Sequence, residues 1–187
     1  MNGIILIVLL AAVLALAFAA FNYTSVKALE EGTPLMAEIA GAIRVGASAF
    51  IRYEYRVLYT VVAAVAVILA LVTSWQSAIA FLIGSVMSGC AGFIGMKIAT
   101  YANVRVSNEA RKTHNIGKTV KVAFRGGSVM GLCVGGFALL GVFLVYVIFG
   151  MTMGQLGETA SVTNWIGVSF LPFPMTLSGY ALGCSVV

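Results

Sequence analysis

The chain has 187 residues, of which 61% are hydrophobic and only 9% charged, with a formal net charge of +5; a soluble domain carries about 25% charged residues. That balance excludes a soluble globular domain, a disordered chain and a basic nucleic-acid binder, which need more polar or charged surface. All six acidic residues are Glu and none is Asp, which counts against a complete Mg²⁺-dependent phosphate enzyme, because carboxylates, Asp prominent among them, hold hard cations.

A membrane-crossing helix needs about 20 apolar residues. Five segments satisfy or approach this, at about 3–21, 57–74, 77–96, 128–149 and 166–187. The expected fold is all-α: a single polytopic membrane domain of about five spans with a cytoplasmic amphipathic helix. The first segment ends in Ala17-Phe18-Ala19, which fits a signal-peptide cleavage pattern. Its n-region Met1-Asn2 lacks Lys or Arg and its apolar run is long, which favours a retained helix.

Thr33 and Pro34 read as an N-cap and first helical residue. Beyond them Met36, Ile39, Ala40, Ile43, Ala47 and Phe50 recur on one helical face, so an amphipathic helix is expected to run into the second span. The third span is expected to continue to about residue 113, since no Pro or Gly interrupts Lys97–Arg111; Asn115-Ile116-Gly117 is the first break. Lys97 is read as snorkelling to the headgroups. Gly84, Ser88 and Gly92, and then Gly127, Gly131 and Gly135, lie four residues apart. These small side chains are assigned to close helix packing.

Every Lys and Arg falls in one of two windows, 23–56 and 97–127, and the connections at Trp75-Gln76 and Gly150–Trp165 hold none. Because cytoplasmic loops are enriched in Lys and Arg, both windows are placed inside and the N-terminus outside, with Trp75 and Trp165 at the outer interface. The second window carries seven basic residues and one Glu, enough to attract anionic lipid or a phosphate substrate, although orientation alone accounts for it.

Catalytic constellations are absent from the pattern. There is no phosphate-binding GxxxxGK[ST] loop, and His114, the lone histidine, sits in a basic stretch and reads as a solvated loop residue. Cys90, Cys133 and Cys184 have no CxxC spacing and read as buried small residues. The Glu residues at 30, 31, 38, 54, 109 and 158 avoid the middle of every span, where an ion carrier would need one; this disfavours a rotor-type proteolipid. No metal or catalytic residue is assigned.

Longer strings carry more information. Glu38-Ile39-Ala40-Gly41-Ala42-Ile43-Arg44-Val45-Gly46-Ala47-Ser48-Ala49-Phe50-Ile51, followed by Glu54-Tyr55-Arg56, resembles the first cytoplasmic segment of membrane-bound, ion-translocating pyrophosphatases. Gly92-Phe93-Ile94-Gly95-Met96-Lys97-Ile98-Ala99-Thr100-Tyr101-Ala102-Asn103-Val104-Arg105 is similar to their third helix. Val122–Gly131 and Gly179–Ser185 are similar to the starts of their fourth and fifth. The resemblance implies a polytopic pump of about sixteen helices, usually a homodimer, in the plasma membrane or another energy-coupling membrane. It would hydrolyse pyrophosphate inside and move H⁺ or Na⁺ outward, with Mg²⁺ and in some members K⁺. It also implies that this chain is the first quarter of a longer one. The family's Arg, Gly-rich turn and Asp-rich motifs would follow Val187, so the chain alone is expected to be inactive. A small non-enzymatic membrane scaffold or transporter subunit remains the alternative, and no nucleic-acid partner is expected.

Overall fold

The computed structural model describes residues 3–157 and 161–186; Met1, Asn2, Glu158, Thr159, Ala160 and Val187 lie outside the described residues. Among the described residues five α-helices follow one another: α1 (Gly3–Lys27), α2 (Pro34–Val72), α3 (Trp75–Thr113), α4 (Ile116–Val145) and α5 (Pro172–Val186). Four are long and apolar enough to cross a membrane: α1, α2, α3, and α4 taken together with the π-helical turn Tyr146–Thr152 that extends it. The protein is an all-α, multi-pass membrane protein.

Helix boundaries follow local chemistry. The Thr33 hydroxyl accepts from Met36 N (3.3 Å) and Pro34 opens α2, where its missing N–H costs nothing. Ser74 and Asn115 cap α3 and α4 in the same way, accepting from Ser77 N (3.2 Å) and Lys118 N (3.1 Å). Each satisfies a donor that the first helical turn leaves orphaned. His114 ends α3 with φ of 47° and is exposed, the left-handed conformation that stops a helix. The amphipathic segment and second span are one continuous 39-residue helix, and so are the third span and its extension.

In the last apolar segment the helix begins only at Pro172. Residues 162–163 and 169–170 form a small antiparallel hairpin, β1 and β2, with Val162 opposite Phe170. Asn164 organises it: its side-chain oxygen accepts from Ile166 N and Val168 N, an Asx-type turn. α5 then starts at Pro172, because a proline fits the first turn of a helix but not its interior. Its 15 described residues extend about 22 Å at 1.5 Å per residue.

The chain divides into two compact units, and α1, α2, α3 and α4 each contribute residues to both. The first comprises Met1–Ala12, Arg56–Cys90 and Phe137–Val187. Its core gathers Ala80, Val145, Phe149 and Tyr180, with Val62, Ala66 and Phe81 in a second cluster. Here α5 lies against α3 at backbone contact. A Cβ on Gly84 would stand 2.9 Å from Cys184 N, one on Gly179 2.5 Å from Ser77 O, and one on Gly183 3.0 Å from Ser85 N. Ser85 Oγ donates to Phe81 O (3.0 Å) and approaches Gly183 O (3.3 Å). Tyr180 fills the space left by Gly141 and donates to Ala138 O (2.9 Å). Trp165 Nε1 and Asn164 Nδ2 donate to the carbonyls of Leu71 and Val72, which the end of α2 leaves without helical partners.

The second unit comprises Val13–Tyr55 and Ala91–Gly136 and holds ten of the eleven basic residues. Asn22, buried on α1, donates to Ser128 Oγ of α4 (3.0 Å), an interhelical bond of the kind that ties helices together in lipid. The buried face of α4 here is Val122, Gly126, Val129, Cys133 and Gly136. Gly126 meets the Cβ of Ala102 on α3, and Gly95 of α3 meets Met130. Gly127, Gly131 and Gly135 lie one residue round the helix from that face; they are exposed, and a Cβ on any of them would meet nothing within 4 Å. The packing expected of this stripe is made instead by Gly126. The reason is angular: one residue is 100° of helix, and only the alternating 4-3-4-3 spacing of the neighbouring row follows the α3-facing side.

Candidate functional site

Of the six residues assigned to packing, Gly84 meets α5, and Gly92 meets α2, where a Cβ would stand 3.0 Å from Tyr55 Oη. Ser88 is half-buried, and the α4 triplet is exposed as described. Cys133 is buried, whereas Cys184 is half-buried and Cys90 exposed. The expectation of burial therefore fails for Cys90, whose position on α3 turns away from the first unit's core.

The concentration of polar chemistry lies elsewhere, in the second unit, around Tyr101 of α3. Three cations surround its ring: Arg44 of α2 at 4.8 Å from the centroid, Lys27 at the end of α1 at 5.5 Å, and Arg105, one turn along α3, at 5.6 Å. The ring quadrupole attracts each of them. Tyr23 of α1 packs edge-on against the same ring at 6.4 Å.

Arg105 is the centre of this arrangement, and it is 6% exposed. Its guanidinium donates to three main-chain carbonyls: Nε to Leu29 (2.8 Å), Nη2 to Lys27 (2.9 Å) and Nη1 to Tyr101 (2.9 Å). Lys27 ends α1 and Leu29 lies two residues past it, where carbonyls lack intrahelical donors and the helix dipole favours a cation. A planar fork of donors suits that task as an ammonium does not. Glu31 completes the cluster. Its Oε1 accepts from Arg44 Nη2 at 2.5 Å and pairs with Arg105 Nη2 at 3.2 Å. The hydrogen bond from Arg44 and the attraction of both guanidinium groups hold the Glu31 carboxyl below the usual carboxylate range, against a smaller opposing effect of burial. Its neighbour Glu30 pairs with Lys112, which likewise lowers its pKa.

The turn between α1 and α2 is closed by two further contacts. Asn108, 3% exposed, donates to Glu30 O (3.2 Å). Gly32 has φ of 101°, and a Cβ there would meet Asn108 Oδ1 at 2.8 Å. Both the conformation and the space demand glycine.

This cluster ties α1, α2 and α3 together. Among the described residues no three His, Cys, Asp or Glu side chains come together as metal ligands. Glu30 and Glu31 are each committed to a cation. These residues do not fit a Mg²⁺-pyrophosphate site. Sequence reasoning placed Arg44, Tyr101 and Arg105 in family-like strings without giving them a role. Their occurrence as polar residues in otherwise small and apolar runs was the available signal.

Residues 13–187 match the family described as inorganic H⁺ pyrophosphatase. The chain belongs to that family. It is 54% identical over 173 residues to the K⁺-stimulated pyrophosphate-energized sodium pump of Thermotoga maritima, covering 92% of this chain and 24% of the relative. It is 42% identical over 153 residues to a putative K⁺-stimulated pyrophosphate-energized sodium pump of Clostridium tetani, covering 82% and 22%. A K⁺-insensitive pyrophosphate-energized proton pump of Moorella thermoacetica shares 39% over 169 residues, covering 89% and 24%. The chain thus spans about a quarter of the length of these relatives.

Proposed function

We propose that this chain is the N-terminal part of an ion pump that couples pyrophosphate hydrolysis on the cytoplasmic side to outward movement of H⁺ or Na⁺. The observation that carries the reading is the family match over residues 13–187 on a chain with four membrane-length apolar helices. In this reading the chain supplies supporting helices and orientation. The basic windows lie inside, the N-terminus outside, and the intact pump is a homodimer in a plasma or other energy-coupling membrane. Mg²⁺, and K⁺ where required, belong to residues outside this chain. The spacing of backbones supports a scaffold role: α5 meets α3 through glycines, and Arg105 ties α3 to the α1–α2 turn.

Complementation tests the proposal. The 187-residue chain and the remaining three quarters of a relative are produced separately and together, and inverted membrane vesicles are assayed for pyrophosphate hydrolysis and pyrophosphate-driven ion uptake. Neither part alone is expected to hydrolyse pyrophosphate, and together they are expected to restore hydrolysis and uptake. Hydrolysis by this chain alone overturns the reading, and stable insertion with no restoration by the partner half overturns it in favour of a self-sufficient scaffold.

A further inference from the structure

Beside Tyr101 the second unit holds a small cavity of about 40 Å³, walled by α2 and α3. Its chemistry is one-sided. Arg44 and Lys97 supply two cations, Ser48, Thr100 and Tyr101 supply hydroxyls, Ile51 is among its apolar walls, and no carboxylate lines it. A water needs about 10–15 Å³ on this measure, so the space takes a group of a few heavy atoms.

Two observations show that its cations are under-compensated. Arg44 spends Nη2 on Glu31, but its Nε is shielded from solvent and has no hydrogen-bond partner among the described residues. A buried, unpaired N–H on a charged group is costly. Around Tyr101, moreover, Lys27, Arg44 and Arg105 converge with Lys97 close by on α3, and among the described residues Glu31 is the single carboxylate paired within that set. Four positive charges against one negative leave an excess of three. Lys97 is exposed, with Nζ 4.6 Å from the centre of the Phe93 ring, and none of the ion pairs among the described residues involves it.

The position of the cavity along the helices matters as well. Lys97 directly follows the apolar run that ends at Met96, and Ile51 lies six residues, about 9 Å of helix, before the apolar run that begins at Val57. The cavity therefore sits just beyond the apolar stretches of both helices, the depth of lipid headgroups. Exposed apolar side chains of the same unit, among them Val45 and Phe50, lie on this part of α2.

We propose that this cavity is a site for a phosphate group, filled by the headgroup phosphate of an anionic phospholipid or by free inorganic phosphate. The anion would accept from the guanidinium of Arg44 and the ammonium of Lys97, neutralise the excess charge, and leave acyl chains, where it is a lipid, against the exposed face of α2. Charge-assisted bonds to phosphate are among the stronger polar contacts. The proposal rests on residues of this chain alone and stands or falls independently of the pump reading.

The test uses the 187-residue protein purified in detergent and delipidated. One arm adds phosphatidylglycerol or, in parallel, phosphatidylcholine, and counts bound lipid by native mass spectrometry; the other titrates inorganic phosphate and follows thermal unfolding. The variant Lys97→Gln removes an exposed cation and leaves the Arg44–Glu31 pair intact. Arg44→Lys keeps the charge but loses the fork. Lys118→Gln, an exposed cation elsewhere, is the control. Selective retention of phosphatidylglycerol, weakened roughly ten-fold or more by Lys97→Gln but no more than about five-fold by Lys118→Gln, supports the site with lipid as its source. Stabilisation by millimolar phosphate that Lys97→Gln abolishes supports the site with free phosphate as its source. Equal effects of Lys97→Gln and Lys118→Gln, or no binding of either probe to folded protein, overturn the proposal.

Discussion

Replacing Arg105 by Met is the sharpest probe of what holds the α1–α2 turn to α3. The apolar stem is conserved, while three donors to carbonyl oxygen and the contact to Glu31 vanish. Each hydrogen bond from a charged donor contributes about 1.5–3 kcal/mol net, but Lys27 is exposed, so water re-satisfies part of the loss. Removing one member of a buried charged network typically costs about 3–5 kcal/mol. The cost falls on local opening of the end of α1 and the turn that follows, because α3 keeps its own helical hydrogen bonds. At about 1.4 kcal/mol per factor of ten, the opening equilibrium rises roughly 150- to 5,000-fold. Hydrogen exchange read by mass spectrometry on peptides covering residues 24–32 reports this opening directly. Arg105→Lys is expected to fall between the variant and the parent, since an ammonium cannot reach all three carbonyls. Arg125→Met, an exposed arginine of the same unit, is the control. If exchange in residues 24–32 is the same in Arg105→Met as in Arg125→Met, the guanidinium does not cap α1, and the reasoning is wrong.

Other outcomes follow from the same contacts. Gly183→Ala places a methyl group against the backbone of Phe81 and Ser85 and is expected to cost about 1–3 kcal/mol as α5 is pushed from α3; Gly131→Ala, with open space around it, is expected to be neutral or stabilising by up to about 1 kcal/mol, and comparing the two by thermal unfolding in detergent tests the assignment of faces. Gly32→Ala combines a left-handed φ with a clash on Asn108 and is expected to destabilise by about 1–3 kcal/mol, visible as faster proteolysis between α1 and α2. The lowered pKa of Glu31 means that its ion pairs stabilise the folded turn fully above the ordinary glutamate value of about 4.3 and lose that contribution as pH falls through the lower folded value. Proteolytic susceptibility of the turn to an acid-active protease is therefore expected to rise on acidification below about pH 4, and Glu31→Gln is expected to remove that Glu31-linked pH dependence.

Much of the architecture was legible because each signal is local. Thr33-Pro34 marks the start of α2 through a cap that needs only three residues. The uninterrupted run Lys97–Arg111 announced that α3 would extend beyond its apolar stretch. Four spans follow from hydropathy, since a membrane-length apolar run has few alternatives. The fifth apolar segment turns helical only at Pro172, because hydropathy does not register that Asn164 and Gly167 fold residues 162–170 into a hairpin.

The sites were less legible, for a geometric reason. A glycine stripe has a clear four-residue period, but period alone does not say which 100° sector of a helix faces a neighbour. Gly126 rather than Gly127 meets α3 because the neighbour's position, not the repeat, chooses the face. Arg105 was likewise one cation among seven in a basic window until the fold brought the end of α1 beside it. By itself the sequence determined composition, spans, caps and the segregation of charge, all of them properties of one helix and its surroundings. Tertiary structure decided which small residues touch, which cation is buried and where positive charge goes uncompensated, because those properties belong to pairs of helices far apart in sequence.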